Sequence, residues 1–194
     1  MSQTRAPVER LPFTGDDEAD RLLARDPLAL LIGFVLDQQV PLQKAFSGPL
    51  ELRRRIGSLD AARIAAMPTH ELESAFRARP ALHRFPGNMA RRTQALCAAI
   101  VADYGGDVGR VWSGAADGQQ LRARLLALPG IGEMKADTLL AILAKRFGVR
   151  PPGIDDVLPR HPTLGDVDSP AALADYQAGK RARKAAMRGA ADRK

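Results

Sequence analysis

Residues 118–148 read GQQLRARLLALPGIGEMKADTLLAILAKRFG, and their pattern decides the fold class. Leu121, Leu125, Leu126 and Leu128 fall on one side of a helix predicted over Gln119–Leu128. Ala136, Leu139, Leu140 and Leu143 do the same for a second helix over Glu133–Phe147, which Gly148 closes. Between the two, Pro129-Gly130-Ile131-Gly132 leaves room only for a tight hairpin. Its glycines lack a Cβ and accept positive φ, so the backbone can come close to a ligand. The free N–H groups of the turn and of the second helix's start point the same way and favour an anion such as a phosphate. Leu128 and Ile131 pack the hairpin down. The segment is either a phosphate clamp that reads no base or a purely structural helical hairpin.

Working outward, Asp26-Pro27 opens a helix predicted over Pro27–Gln39, because Asp caps and Pro suits the first helical position. That helix is apolar nearly all round, which predicts burial rather than a wet face. Val40-Pro41 ends or kinks it. Further helices are expected over Pro41–Ile56, Leu59–Met67, Thr69–Arg77 and Met89–Tyr104, the last stopped by Gly105-Gly106. Downstream of the hairpin, Pro151, Pro152, Pro159, Pro162 and Pro170 make residues 149–169 mostly loop, and Ser169-Pro170 starts a final basic helix. No useful alternating pattern exists, so the class is all-α. The expected organisation is an N-terminal arm (1–26), a helical domain (27–148), and a proline-rich loop with a basic helix and tail (149–194).

The 194 residues contain one cysteine, Cys97. One cysteine excludes an internal disulfide, a Cys-ligated iron–sulfur cluster and a Cys-rich zinc site. His70, His83 and His161 lack ligand spacing, so no metal or cofactor is expected. No run of about 18 apolar residues exists, and Asp16, Asp17, Glu18 and Asp20 replace the apolar core of a secretion signal, so a cytoplasmic protein without a membrane span is the default, as is a monomer. The net charge is +7. Seven basic residues (Lys180, Arg181, Arg183, Lys184, Arg188, Arg193, Lys194) against Asp175 and Asp192 put +5 of it in the last 24 residues. Such a tail either meets a polyanion, nucleic acid first, or is a solvated helix end.

The stretch LPGIGEMKADTLLAIL resembles the hairpin of the helix-hairpin-helix DNA glycosylase superfamily, the endonuclease III and 3-methyladenine glycosylase group. PLALLIGFVLDQQVP resembles that superfamily's early buried helix and the polar loop after it, and Arg84–Tyr104 resembles the helix before the hairpin segment. The resemblance covers roughly residues 27 to 148, in the same order. It implies a two-lobed helical fold that bends duplex DNA and flips a nucleotide into a cleft, here in a cluster-free member that would be nucleoid-associated in a bacterium. Gln39, with Gln38 adjacent, matches the amide that fills the gap in the base stack, where an amide offers both donors and acceptors. Otherwise the pair is a polar helix end meeting water. The lyase members carry an amine nucleophile where this chain has Met134. Lys135 is one position on, rotated about 100° around the helix, so it either touches a phosphate or is solvated. The superfamily's catalytic carboxylate, which would stabilise a positively charged sugar or activate water, matches Asp155, with Asp156 second. Otherwise these residues cap a short turn.

The resemblance therefore implies a monofunctional DNA glycosylase of base-excision repair acting on double-stranded DNA. Gly130, Ile131, Gly132, Leu128 and Lys135 would hold the backbone, and Gln38 and Gln39 the gap. A DNA-binding relative that recognises distorted or abasic DNA without chemistry is the alternative. Trp112 and Tyr104 line a base pocket or pack in the core. Arg84, Arg91 and Arg92 are candidate phosphate contacts. His83-Arg84-Phe85-Pro86-Gly87 is a local cluster without assigned chemistry. Cys97 reads as a buried small hydrophobe.

Overall fold

Asp16 and Asp26 start the first two helices by the same device. In the computed structural model, which describes residues 8–191 (without the side chains of Lys184 and 187–191), each carboxylate accepts from two amides of the first turn it precedes. Helix α1 (Asp17–Arg25) and helix α2 (Pro27–Leu36) follow. The segment expected to be an arm is thus built into the fold from Leu11 on: Leu11 and Phe13 are fully buried, and Asp20 accepts from the amides of Phe13 and Thr14. Residues 1–7 of that arm, and the end of the basic tail at Arg193 and Lys194, lie outside the described residues.

Every residue of α2 from Leu28 to Leu36 is buried, as its continuous apolar run demands. Its principal neighbour is α3 (Leu42–Ile56). The two helices approach through a reciprocal pair of contacts. A Cβ on Gly33 would stand 2.6 Å from the Phe46 ring, and one on Gly48 would stand 2.4 Å from Leu36 Cδ1. Phe46 in turn meets Phe13 and Phe34 edge-on, with ring centroids 5.3 and 5.1 Å apart.

Helices α4 (Ala61–Ala66) and α5 (Thr69–Arg77) pack on the long α6 (Pro86–Tyr104). Beyond it, α7 (Gly109–Ser113), α8 (Gly118–Ala127) and α9 (Glu133–Lys145) pack in sequence. They are followed by a one-turn α10 (Ile154–Val157), a 3₁₀ turn (Leu164–Asp166) and α11 (Pro170–Ala191). The contacts divide accordingly. Helices α1–α6 pack chiefly among themselves, and α7–α11 among themselves, with the 3₁₀ turn lying on α9. One continuous apolar core runs through both groups. The architecture is all-α, with no strand among the described residues.

Three details depart from the expected elements. Helix α2 ends at Leu36, not Gln39, because the Val40-Pro41 pair disfavours helical backbone just ahead of proline, and Gln39 takes the left-handed conformation with φ 55°. Helix α6 begins at Pro86, three residues earlier than expected, with proline in its first turn. Segment 149–169 is non-helical for the most part but not loose: Thr163, Leu164, Gly165 and Val167 are buried, and Thr163 and Asp166 cap the 3₁₀ turn reciprocally.

Candidate nucleic-acid interface

The hairpin sits against the end of α2. Gly130 has φ 84°, a conformation that costs any residue with a Cβ, and such an atom would also press to 3.3 Å from Val35 Cγ2. Leu128 and Ile131 are buried beneath the turn, and the amide of Ile131 bonds the carbonyl of Leu128 at 3.1 Å. Gly132 faces open space and precedes α9, whose first turn receives no side-chain cap. The uncapped amides of α9 therefore face outward beside the segment that follows α2.

That segment, Asp37-Gln38-Gln39, is held from below. The Arg55 guanidinium bonds the carbonyls of Ala75, Ala78 and Pro80, and Lys44 bonds that of Ala81. These bonds brace the stretch leading to His83, which is buried. The His83 Nδ1 accepts from the amide of Phe85 at 3.0 Å, so its Nε2 carries the proton and donates to the Gln38 carbonyl at 2.8 Å. Burial, reinforced by the charges of Lys44 and Arg84, holds His83 below its ordinary value and keeps it neutral, against the pull of its bonds to the Leu36–Gln38 backbone. The uninterpreted cluster at 83–87 is thus the support of the Gln38 loop.

The two glutamines differ. The amide oxygen of Gln38 accepts from Arg92 Nη1 at 2.8 Å, so its side chain is tied to α6. Gln39 is exposed at the tip of the loop. The two large hydrophobic side chains left in water among the described residues are Met134 (80 % exposed) and Phe85 (44 %). Met134 lies on the first turn of α9, and Phe85 sits under the Arg84 guanidinium at 4.8 Å.

Lys135 is half-buried and turns back toward the hairpin, its Nζ 3.4 Å from the Gly130 carbonyl. Burial pulls it below the usual lysine range and the Arg92 charge adds to this, while Asp37 opposes it. Asp37 caps the end of α2 through its amide. Burial pushes its carboxyl above the ordinary 3.8, opposed by Lys180 and Lys135. Tyr176 on α11 is raised by burial and then by the same Asp37 charge. Four elements (α2, α6, α9 and α11) therefore bring Asp37, Arg92, Lys135, Tyr176 and Lys180 into one electrostatic neighbourhood. Tyr176 also lines a cavity of about 490 Å3 between the 162–167 segment and α11, with Thr163, Val167, Ala172 and Arg183 among its walls.

Asp155 and Asp156 lie elsewhere. They sit on α10, which is anchored by buried Ile154 on the start of α8, where the Gly118 amide bonds the Pro152 carbonyl at 2.8 Å. The hairpin is at the other end of α8, about 15 Å away by helix length. Both aspartates are exposed, and Asp155 pairs with Arg150 at 2.5 Å. The structure brings Gln38, Gln39, Gly130, Gly132 and Lys135 together and leaves Asp155 and Asp156 apart from them.

Other candidates resolve simply. Trp112 and Tyr104 are partly buried against the core. Arg91 pairs with Glu73. Burial pushes the Cys97 thiol up to about 12, which leaves it unreactive. Among the described residues no three His, Cys, Asp or Glu side chains gather as a metal site, and no helix is long and apolar enough to cross a membrane. Sequence reasoning missed Asp37, Tyr176 and the joint action of His83 and Arg92. The adjacency of Asp37 to Gln38-Gln39 was the one available signal. No protein-family model, curated protein or solved structure matches the chain.

Proposed function

We propose that this protein is a double-stranded DNA-binding glycosylase of base-excision repair, a monofunctional hydrolase of the N-glycosidic bond of a damaged or mispaired base. The observation that carries the reading is the seating of the Gly130 hairpin on Val35, which sets an uncapped helix start beside an exposed amide at Gln39. The first suits a DNA phosphate and the second a gap in the base stack. Met134, exposed on the first turn of α9, and Phe85, whose amide bonds the His83 ring that holds the Gln38 carbonyl, are apolar side chains suited to an unstacked step. In this reading the two groups of helices would serve as the two lobes that such a fold uses. No cofactor, metal or cluster enters, and the absence of an amine in the register of Met134 argues against strand cleavage.

The test uses labelled duplexes carrying uracil, an alkylated purine, oxidised guanine, hypoxanthine or a simple mismatch. Products are split with and without alkali. Strand breaks that appear only after alkali support the proposal. Duplex affinity should fall steeply with salt, because phosphate contacts release counterions; salt-insensitive binding would contradict the reading. The exposure of Asp155 and Asp156, far from the hairpin, favours one second reading, a relative that binds abasic or distorted DNA without chemistry. Tight abasic binding without base release from any duplex would select it.

A further inference from the structure

We infer that the cavity between the 162–167 segment and α11 is a nucleotide site, which seats an amino-bearing nucleobase in a notch at Gly179 and its phosphate on Arg183. The inference does not rest on the glycosylase reading. The Asp166 wall of the cavity is tied to Lys145, the last residue of α9, about 18 Å by helix length from the first turn of α9 that the reading above assigns to a DNA phosphate.

The first observation is the glycine itself. Glycine inside a helix costs stability, and the cost normally has a conformational or packing reason. Gly33, Gly48, Gly87 and Gly118 each have one, because a Cβ there would stand 2.7 Å or less from a neighbouring atom. Gly179 has neither reason. It lies well inside α11, its φ is not positive, and nothing stands within 4 Å of the place a Cβ would take. What the missing side chain leaves is room in the cavity wall, with Tyr176 one turn before it and Arg183 one turn after.

The second observation is which polar groups the walls leave free. The cavity, about 490 Å3, is of small-molecule size and mostly apolar, with few polar groups. Two of those groups are engaged by the fold. Asp166 accepts from Lys145 at 2.6 Å with one oxygen, and from the amide and hydroxyl of Thr163 with the other. Asp175, the Tyr176 hydroxyl and Arg183 form no hydrogen bond or ion pair among the described residues. All three stand on the cavity face of α11, Asp175 and Tyr176 before the notch and Arg183 after it, about 12 Å from first to last by helix rise. A flat base on the bare backbone at Gly179 meets the half-buried Tyr176 ring. Asp175 accepts from its exocyclic amine, and the forked Arg183 guanidinium takes the phosphate. A carboxylate and a guanidinium at opposite ends select a ligand with a donor at one end and an anion at the other. A nucleoside monophosphate has both, whether free or as one unit of a strand.

The test is calorimetric titration of the full chain with dAMP, dTMP and deoxyadenosine, repeated with Gly179→Leu and Arg183→Gln. The unaltered chain should bind dAMP at least tenfold more tightly than deoxyadenosine and at least threefold more tightly than dTMP. Gly179→Leu should weaken dAMP at least tenfold while raising the thermal unfolding midpoint, because leucine is the better helix former and its Cβ meets nothing. Lost binding in a more stable chain is not misfolding. Arg183→Gln should bring dAMP down to the affinity of deoxyadenosine. A 5′-phosphorylated single strand of deoxyadenylate, titrated against bound dAMP, separates the two sources. Displacement of dAMP supports the site with a strand nucleotide as its ligand, and failure to displace it supports the site with a free nucleotide. Absence of dAMP binding at millimolar concentration would overturn the inference. So would dAMP affinity unchanged in Gly179→Leu, or equal affinity of the unaltered chain for dAMP, dTMP and deoxyadenosine. None of these outcomes touches base release, so the glycosylase reading stands or falls separately.

Discussion

Asp37 and Asp155 are both carboxylates at helix ends, yet they live in opposite conditions. Asp155 is exposed and paired with Arg150, its neighbour five residues back in the chain. Asp37 is half-buried, its side chain is unpartnered, and the charges that reach it come from residues about 100 and 140 positions away. The first environment is local and could be written by any short polar turn. The second exists only because α2, α9 and α11 meet. A short motif locates a residue type, whereas its chemistry is set by what distant elements bring to it.

The contrast can be broken most forcefully at the turns themselves. Gly130→Val adds side-chain atoms at a left-handed φ and against Val35, and should cost about 2–3 kcal/mol while weakening duplex binding more than tenfold. Gly153→Ala, in the same left-handed state beside Asp155, should cost about 1 kcal/mol and leave duplex binding intact. Chemical denaturation and fluorescence titration check both. Equal losses of binding at the two turns would erase the distinction between the regions.

The next effect sharpens it through pH. An acid whose folded value is raised holds its proton more tightly folded than unfolded, so its ionisation above that range subtracts from stability. Asp37→Asn should therefore raise the unfolding midpoint at pH 7, and the gain should fade as pH drops through 3.8 and vanish well below it, where both states are protonated. His83 has the opposite sign of dependence. As a base with a lowered folded value, it adds stability that is complete above 6.5 and is lost as pH falls through the lowered value. His83→Gln should remove that acid loss, visible in thermal unfolding at stepped pH. The smallest effect belongs to Asp155. With an exposed surface pair, Asp155→Asn or Arg150→Ala should move stability by no more than about 0.5 kcal/mol.

What could be read in advance follows the same line. Helix α2, the hairpin and α9 were legible because Asp26-Pro27, LPGIG and the leucine spacing are local signals. Helix α1 was not, because its acidic first turn resembles a solvated arm until Asp16 is seen capping it and Leu22 and Leu23 are seen buried. The end of α2 was misplaced by three residues, and with it the status of Asp37, since a helical Asp37 would have been one more turn residue. His83 carried no signal beyond its odd setting, because its meaning lies in a bond to a carbonyl 45 residues away. The convergence on Asp37 is tertiary throughout, and no spacing in the chain announces it.

The reciprocal seats between α2 and α3 carry a consequence for how this chain can vary. Gly33 faces Phe46 and Gly48 faces Leu36 with no spare volume, so neither glycine can gain a methyl group alone without overpacking, at about 1–3 kcal/mol. Each can change only together with its opposite number, as in Gly33→Ala with Phe46→Leu. The four positions therefore behave as two coupled characters rather than four independent ones, and drift in this helix pair is confined to compensated steps.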